Sequence, residues 1–380
     1  MSEVRVNNLS NENNTGGPTI SGITTYSGRH FFVPPSGTTA ERPSDCEPGS
    51  LRFNTDSAHL EYFKGDTIGW VEIEASTDEL GGGTGSNLGF GTRGIVNLAY
   101  SPGIDNRIDF ITIPTLGNSQ DFGNLTAGRV SAGHASSRTR DCIGGGYGPN
   151  TSDVIDSVEF ASTGNAIDFG DLTVNRYGVG ALSNQIRGVF NGGDSVNVID
   201  YITISSRGNA VDFGDCPTGY VQRGLGNTVR GLWAGSEGPS VGTNNTIHQI
   251  TIMTTGNSTD FGDLSYGRGG WGGGSNATRG IMMGGAPNST TNRVNIIDFI
   301  TIATEGNAQD FGDLTDDMRG SRMIGCASPT RAVKFGGYNP GHTNVMCFVN
   351  IATLGDAVDF GDLTSACSAA GSNSNGHGGL

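Results

Sequence analysis

Charge, clustered metal ligands and long apolar runs are all scarce in this chain. Only 16% of its 380 residues are charged. No run of about 18 apolar residues occurs, so no membrane-spanning helix is expected. The opening stretch MSEVRVNNLSNENN has neither the basic region nor the apolar core of a signal peptide. The six cysteines are Cys46, Cys142, Cys216, Cys326, Cys347 and Cys367; none forms a C-x-x-C pair, and the six histidines are equally scattered. Zinc needs ligands at short spacings, so a zinc site is not expected. Reduced thiols filling small buried spaces fit synthesis in a reducing cytoplasm.

The sets that would mark an enzyme are missing too. No G-x-S-x-G element occurs. The triplet DFG occurs six times, but without the Gly-rich loop, strand Lys and H-R-D segment of a protein kinase. The Arg cluster and Ser-x-Asp-x-Gly-x-x-Trp boxes of sialidases are absent. His134, His248 and His342 lack the Tyr and His context of a copper oxidase. A non-enzymatic protein with no cofactor and no metal is expected.

What the chain does have is glycine, 64 residues of it, and a formal net charge of -15. Glycine shows no period of three, which excludes collagen. Its scatter among short apolar runs indicates many tight turns and an all-β fold. The negative charge disfavours nucleic acid and anionic membranes as partners.

One segment recurs six times: GNSQDFGNLT at Gly117, GNAIDFGDLT at Gly164, GNAVDFGDCP at Gly208, GNSTDFGDLS at Gly256, GNAQDFGDLT at Gly306 and GDAVDFGDLT at Gly355. The steps are 47, 44, 48, 50 and 49 residues. A period in the forties suits one four-stranded propeller blade; a β-solenoid is the alternative. Within 176–215, RYGVGALSN, IRGVF, NVIDYITI and AVDFGD read as four strands, with the Gly208-Asn209 pair as a two-residue hairpin turn. The first unit begins at a second strand, GTRGIVNLAY, and the chain ends in a spare first strand, SACSAAGSNSNGHGGL. These ends are complementary. The C-terminal strand, from Ser365 onward, is expected to complete blade one and leave no free edge there.

The repeated Asp pairs are Asp168/Asp171, Asp212/Asp215, Asp260/Asp263, Asp310/Asp313 and Asp359/Asp362. Paired carboxylates suit calcium, but the spaced calcium-loop patterns are missing. A structural role is expected instead, one Asp capping turn N–H groups and another meeting the following Arg, such as Arg176 or Arg268. A second series, Arg93, Arg140, Arg187, Arg230, Arg279 and Arg331, places one Arg in each unit. Six equivalent copies also read as scaffold.

The layout resembles the kelch family of propellers over residues 88–380. The resemblance is carried by Gly192-Gly193, Gly284-Gly285 and Gly336-Gly337, by the variant Gly144-Gly145-Gly146, and by Arg129, Arg176, Arg268 and Arg319. Two departures are clear. Phe122, Phe169, Phe213, Phe261, Phe311 and Phe360 stand where that family has Trp, and the first unit lacks the Gly pair. The resemblance implies a six-bladed kelch-like β-propeller.

Residues 1–30 read as an extended arm, 31–75 as a small β-meander module, 76–87 as a Gly-rich linker and 88–380 as the propeller. In the meander, Leu51 and Phe53 share a face, as do Leu60 and Tyr62, and Val71 and Ile73. So small a sheet needs a partner. The stretches ISGITTYSG, FFVPPSGTTAERPSDCEPGSLRFNT and LEYFKGD, with Trp70, resemble a module of tailed-bacteriophage fibre and appendage proteins, of the marine cyanobacterial phage type. The DFGD repeat is similar to repeats in such proteins. The resemblance implies a virion protein of the fibre, appendage or decoration type. Residues 1–75 would contact other virion proteins or copies of themselves, in a homo-oligomer without membrane insertion. The propeller would be displayed toward a host glycan or protein. A kelch-like protein-interaction adaptor and a carbohydrate-binding propeller are the alternatives.

The turns between third and fourth strands are nearly uniform. The loops between second and third strands vary freely: SPGIDN, YGPNTSD, DSVN, SEGPSVGTNN, APNSTTN and YNPGHTN. Varied loops are where binding surfaces form. Candidate recognition residues on them are Tyr147, Asn150, Asp194, Glu237, Asn244, Asn288, Tyr338 and His342, whereas Trp233 reads as core.

Overall fold

A computed structural model of the chain describes residues 34–57, 59–72, 93–100, 103–193, 196–217, 221–237, 244–287, 293–315 and 323–380. The expected arm (1–30) and linker (76–87), with Ile73, Asp194, Asn288 and Arg319, lie outside the described residues. The fold is all-β: seven four-stranded sheets, with no α-helix among the described residues. The chain forms two compact units, Met1–Ser76 and Thr77–Leu380.

In the first unit, β1 (Ser36–Gly37), β2 (Leu51–Asn54), β3 (His59–Phe63) and β4 (Trp70–Glu72) lie in sequence order. β2, β3 and β4 form an antiparallel meander, and β1 adds a short parallel edge. Leu51, Tyr62 and Val71 face one another across the strands, beside Phe53 and Leu60, yet none of these five is buried. The buried face is polar instead. Glu61 is fully buried between Arg42 (2.6 Å) and Arg52 (3.4 Å). The hydrogen bond from Arg42 holds the Glu61 carboxyl below its ordinary range. Phe63 is the one buried hydrophobic residue described in this unit.

The second unit contains six antiparallel sheets, numbered here by the chain order of their second strands. Sheet three shows the pattern: Gly180–Ser183, Arg187–Asn191, Val198–Thr203 and Val211–Asp215. Sheet one takes its first strand, Gly371–Ser374, from the far end of the chain; it pairs with Arg93–Asn97. This strand starts later than the Ser365 expected from sequence. Cys367 still pairs with Thr343, so Ser365–Cys367 prolong the outer strand of sheet six, Val358–Cys367. Ala369, at φ 54, then turns the chain.

The first strands are Gly371–Ser374, Gly133–Ser136, Gly180–Ser183, Val221–Gly226, Gly272–Ser275 and Ile324–Ala327. Each lies against the next, and the last lies against the first. Glycine is needed on this inner circle: a Cβ on Gly224 would collide with the Ala181 carbonyl.

The repeat GN-x-x-DFGD is the seam between sheets, and here the structure corrects the sequence. The chain reverses earlier, at Ile204–Ser206, where the Ser206 N–H donates to the Thr203 carbonyl (3.2 Å). The Gly-Asn pair is therefore not the hairpin turn. It runs along the outer strand of the preceding sheet. Gly208 N–H donates to the Phe169 carbonyl (2.9 Å), and Ala210 N–H to the Asp171 carbonyl (2.7 Å). The Asp171 N–H donates back to the Asn209 Oδ1 (3.2 Å). The seam recurs between sheets six and one, through Gly117 to Phe360 (2.9 Å) and Ser119 to Asp362 (2.8 Å). It also explains the glycine of DFG. Gly170 has φ 154, and a Cβ there would overlap the Gly208 carbonyl. The six Phe residues of the motif are all buried, each at 3% exposure or less. Burying a Phe contributes about 1.5–3 kcal/mol. The Asp before each Phe is exposed on the outer strand.

The second Arg series is a further set of ties. Arg187 Nη1 donates to Ile252 O (3.1 Å), Arg230 to Ile302 O (2.9 Å), and Arg331 to Ile113 O (3.0 Å), which joins sheet six to sheet one. Four of these guanidiniums also stack on an aromatic of their own sheet's third strand, Arg187 over Tyr201 at 4.1 Å being the nearest.

Candidate functional site

Buried polar groups cost stability unless they are paired. Arg129, Arg176 and Arg268 follow outer strands, as expected, but their partners are not the DFGD carboxylates. Arg129 meets Asp156 (2.9 Å), Arg176 meets Asp200 (2.9 Å) and Arg268 meets Asp298 (3.0 Å). Each Asp lies in the third strand of the next sheet. The pair sits inside the sheet packing, whereas the first DFGD Asp points to solvent. Thr126, Thr173 and Ser265 add N–H and hydroxyl donors to the same three carboxylates. Burial lowers the pKa of all three Arg residues. Sheet four has His248 in place of this Asp, and burial lowers its pKa.

The circle of first strands encloses a narrow channel. Its free spaces are about 50 Å³ and 40 Å³, room for a few waters and far below the several hundred Å³ of a small-molecule site. His134 lines it, but both ring nitrogens are engaged, Nδ1 with Asp141 (2.7 Å) and Nε2 with Asn97 (3.0 Å). Burial raises the Asp141 carboxyl. At one end a collar of serines closes in. Ser136 Oγ donates to Ser374 O (2.8 Å), Ser183 Oγ to Ser136 O (2.8 Å) and Ser275 Oγ to Gly226 O (2.6 Å), and Ser374 Oγ reaches Ala327 O. The series breaks at Gly226 and Ala327, which carry no hydroxyl. The tail fills the second gap: Gly378 N–H donates to Ser275 O (2.7 Å). His377 lies across the same end, its Nε2 donating to Ser136 O (3.1 Å) and its Nδ1 accepting from Gly379 N–H (3.1 Å). Burial depresses its pKa to about 4.

Three of the interior thiols are poor nucleophiles. All six cysteines are free. Burial raises Cys142 and Cys326, and raises Cys367 to about 12. No group of three or more metal-ligating side chains occurs among the described residues.

The opposite end carries the loops between second and third strands and the connections between sheets. The two sets interlock: Val130 pairs with Tyr147, Tyr100 with Ser368, and Gly269 with Ala286. Among the described residues, four tyrosines are exposed here, Tyr100 (39%), Tyr147 (44%), Tyr177 (37%) and Tyr266 (43%). Of the sequence candidates, Tyr147 packs edge-on to Tyr177 at 5.8 Å. Tyr338 and His342 meet at 5.5 Å. Asn150 is exposed, and its carbonyl accepts the Gly148 N–H (3.0 Å). Asn244 is half-buried and caps the Thr246 N–H (2.8 Å), a local structural role. Glu237 ends the second strand of sheet four, opposite Val221. Trp233 is fully buried.

Sequence reasoning missed Tyr100, Tyr177 and Arg293. The signal for Tyr100 was its position. It follows Leu98-Ala99 as Tyr147 follows Gly145-Gly146 and Tyr338 follows Gly336-Gly337, and in sheet one no glycine pair marks the place. In comparisons with known proteins, no family model matches the chain, and neither does any curated protein sequence.

Proposed function

We propose that the six sheets are the blades of a closed, kelch-like β-propeller, and that the chain is a non-enzymatic virion protein of a tailed phage. In this reading the first unit docks on the particle and the propeller presents its loop end to a partner. The difference between the two ends carries the proposal. One end is built from repeated seams, a serine collar and a narrow channel. The other has loops of unequal length and four exposed tyrosines. Tyrosine supplies large contact area at low entropy cost, which favours recognition over mere solubility. The N-terminal resemblance supports the particle assignment, as does the half-exposed apolar face of Leu51, Phe53, Leu60, Tyr62 and Val71 in a sheet with little core of its own.

The test is antibody labelling of purified phage particles, using antibodies raised against the full chain. Label at a fixed position on the particle is expected. Uniform absence of label from intact, genome-filled particles would sink the virion assignment.

A further inference from the structure

We infer that sheet four carries a seat for a single aromatic ring of the phenol type, with a hydrogen-bond donor on its edge. The seat is a gap in a device that the other sheets repeat. In four of them the third strand bears an aromatic side chain, Phe110, Tyr201, Phe299 or Phe348. Each is paired with the residue two places after that sheet's Arg. The guanidinium covers the ring at 4.1–4.9 Å. On its other side the ring meets the buried Phe of DFG edge-on, at 5.9–6.1 Å between centroids.

The same register puts Gln249 at this place in sheet four, opposite Leu232. Its amide is drawn to other partners. Gln249 Nε2 donates to the Glu305 carboxylate of sheet five (2.6 Å) and to the Asp260 carbonyl (3.1 Å). Sheet two also lacks the ring, at Ser157, but there Arg140 turns to Glu159 (2.8 Å). In sheet four Thr251 stands opposite the Arg, where sheet two has that Glu. Among the described residues, Arg230 therefore has neither a third-strand ring nor an acidic partner. It keeps its tie to the Ile302 carbonyl (2.9 Å) and lies over Phe261 at 5.5 Å, farther than in any of the four stacks.

An open groove of about 350 Å³ borders these side chains, lined by Arg230, Gln249, Thr251, Thr255, Asn257 and Glu305. That volume is in the range of small-molecule sites, and a cavity of about 150 Å³ already admits one benzene. Three features select the ligand. A planar ring beneath Arg230 repeats the arrangement of Tyr201 beneath Arg187 and gains the same cation–π contact. Glu305 and the threonine hydroxyls offer acceptors, which suit an O–H or N–H on the ring edge. An acidic substituent would meet the Glu305 charge and is disfavoured. Such a ring is supplied by a free phenol or by a tyrosine of another protein. The two differ in whether the groove admits a peptide backbone. The seat lies at the turn between the third and fourth strands, away from the loop end, so it stands apart from the recognition surface proposed above.

Saturation-transfer NMR on the full chain, with p-cresol, cyclohexanol and N-acetyl-tyrosine amide as probes, tests the inference. p-Cresol is expected to bind about threefold more tightly than cyclohexanol, or better, since the saturated ring gains no cation–π contact. Gln249→Phe fills the seat from within. It is expected to keep or raise the melting temperature and to weaken p-cresol by about tenfold or more. Arg230→Met is expected to weaken p-cresol by about threefold or more. Binding of N-acetyl-tyrosine amide as tight as that of p-cresol supports a partner's tyrosine as the source; its exclusion supports a free phenol. No binding of p-cresol, equal binding of cyclohexanol, or undiminished binding by folded Gln249→Phe overturns the inference. A Gln249→Phe chain that no longer folds overturns it too, because the seat then does not accept a ring. None of these outcomes changes the particle assignment, which labelling of particles tests by itself.

Discussion

Consider the removal of one guanidinium. Arg176 and Asp200 are both fully inaccessible to solvent, 2.9 Å apart. Arg176→Met keeps most of the packed stem and deletes the charge. Asp200 then remains a buried carboxylate without its counter-ion, an arrangement that costs about 3–5 kcal/mol when one partner of a buried pair is lost. Thr173 still donates through its N–H (3.1 Å) and hydroxyl (2.6 Å), so the low end, about 3 kcal/mol, is expected. The double variant Arg176→Met/Asp200→Asn removes the stranded charge as well and is expected to recover more than half of the loss. The chain itself contains a precedent. Sheet four has His248 instead of the Asp, and its connecting stretch CPTGYVQ has no Arg. Denaturant unfolding of both variants, read as midpoint shifts at constant slope, measures the effect. A loss below about 1 kcal/mol for Arg176→Met, or a double variant no more stable than the single, would refute the reasoning.

Other expectations concern the seam, the tail and the closing strand. Gly170→Ala places a methyl group against the Gly208 carbonyl at φ 154 and is expected to cost at least about 2 kcal/mol. Gly164→Ala, with nothing within 4 Å of the added atom, is expected to stay within about 0.5 kcal/mol of the parent in the same melt. His377 has a folded pKa of about 4, below its ordinary value. Its contribution is therefore whole above about pH 6.5 and falls away as the pH drops toward 4. Protection of the Gly378 and Gly379 amides, taken relative to their intrinsic exchange rates at each pH, should fall across that window, and His377→Gln should flatten the fall; a flat profile in the parent contradicts the tail geometry. Deleting residues 371–380 exposes the edge of Arg93–Asn97. Association or precipitation is expected on size-exclusion chromatography, and a stable monomer would show that the closing strand is dispensable.

Much of this architecture was legible beforehand, for a reason visible in particular residues. A strand is written locally. The alternation in NVIDYITI and the apolar position of Phe213 depend on neighbours one or two residues away. Period adds a second kind of information, since six copies of DFG must occupy six equivalent places. The complementary ends of the array pointed to the C-terminal strand in the same local way, through likeness to other first strands. The loop candidates were less legible. Tyr338 and His342 lie four residues apart and do meet, but Tyr100 reaches them only because sheet six stands beside sheet one.

Equivalence is not contact, and that difference divides what sequence alone determined from what the tertiary structure decided. Sequence determined the all-β character, the repeated four-strand unit and the residues that recur in it. Only the packing of one sheet on the next decided the partners. Arg176 lies nearer in the chain to Asp171 than to Asp200, yet it pairs with Asp200. The third strand of the next sheet buries that carboxylate beside the guanidinium, while the first Asp of DFGD faces solvent. The Gly-Asn pair likewise has the composition of a turn, but its hydrogen bonds go to a strand 38 residues away, as from Asp171 to Asn209. A buried donor must find an acceptor wherever the fold brings one, and in a stack of sheets that acceptor belongs to the neighbouring sheet.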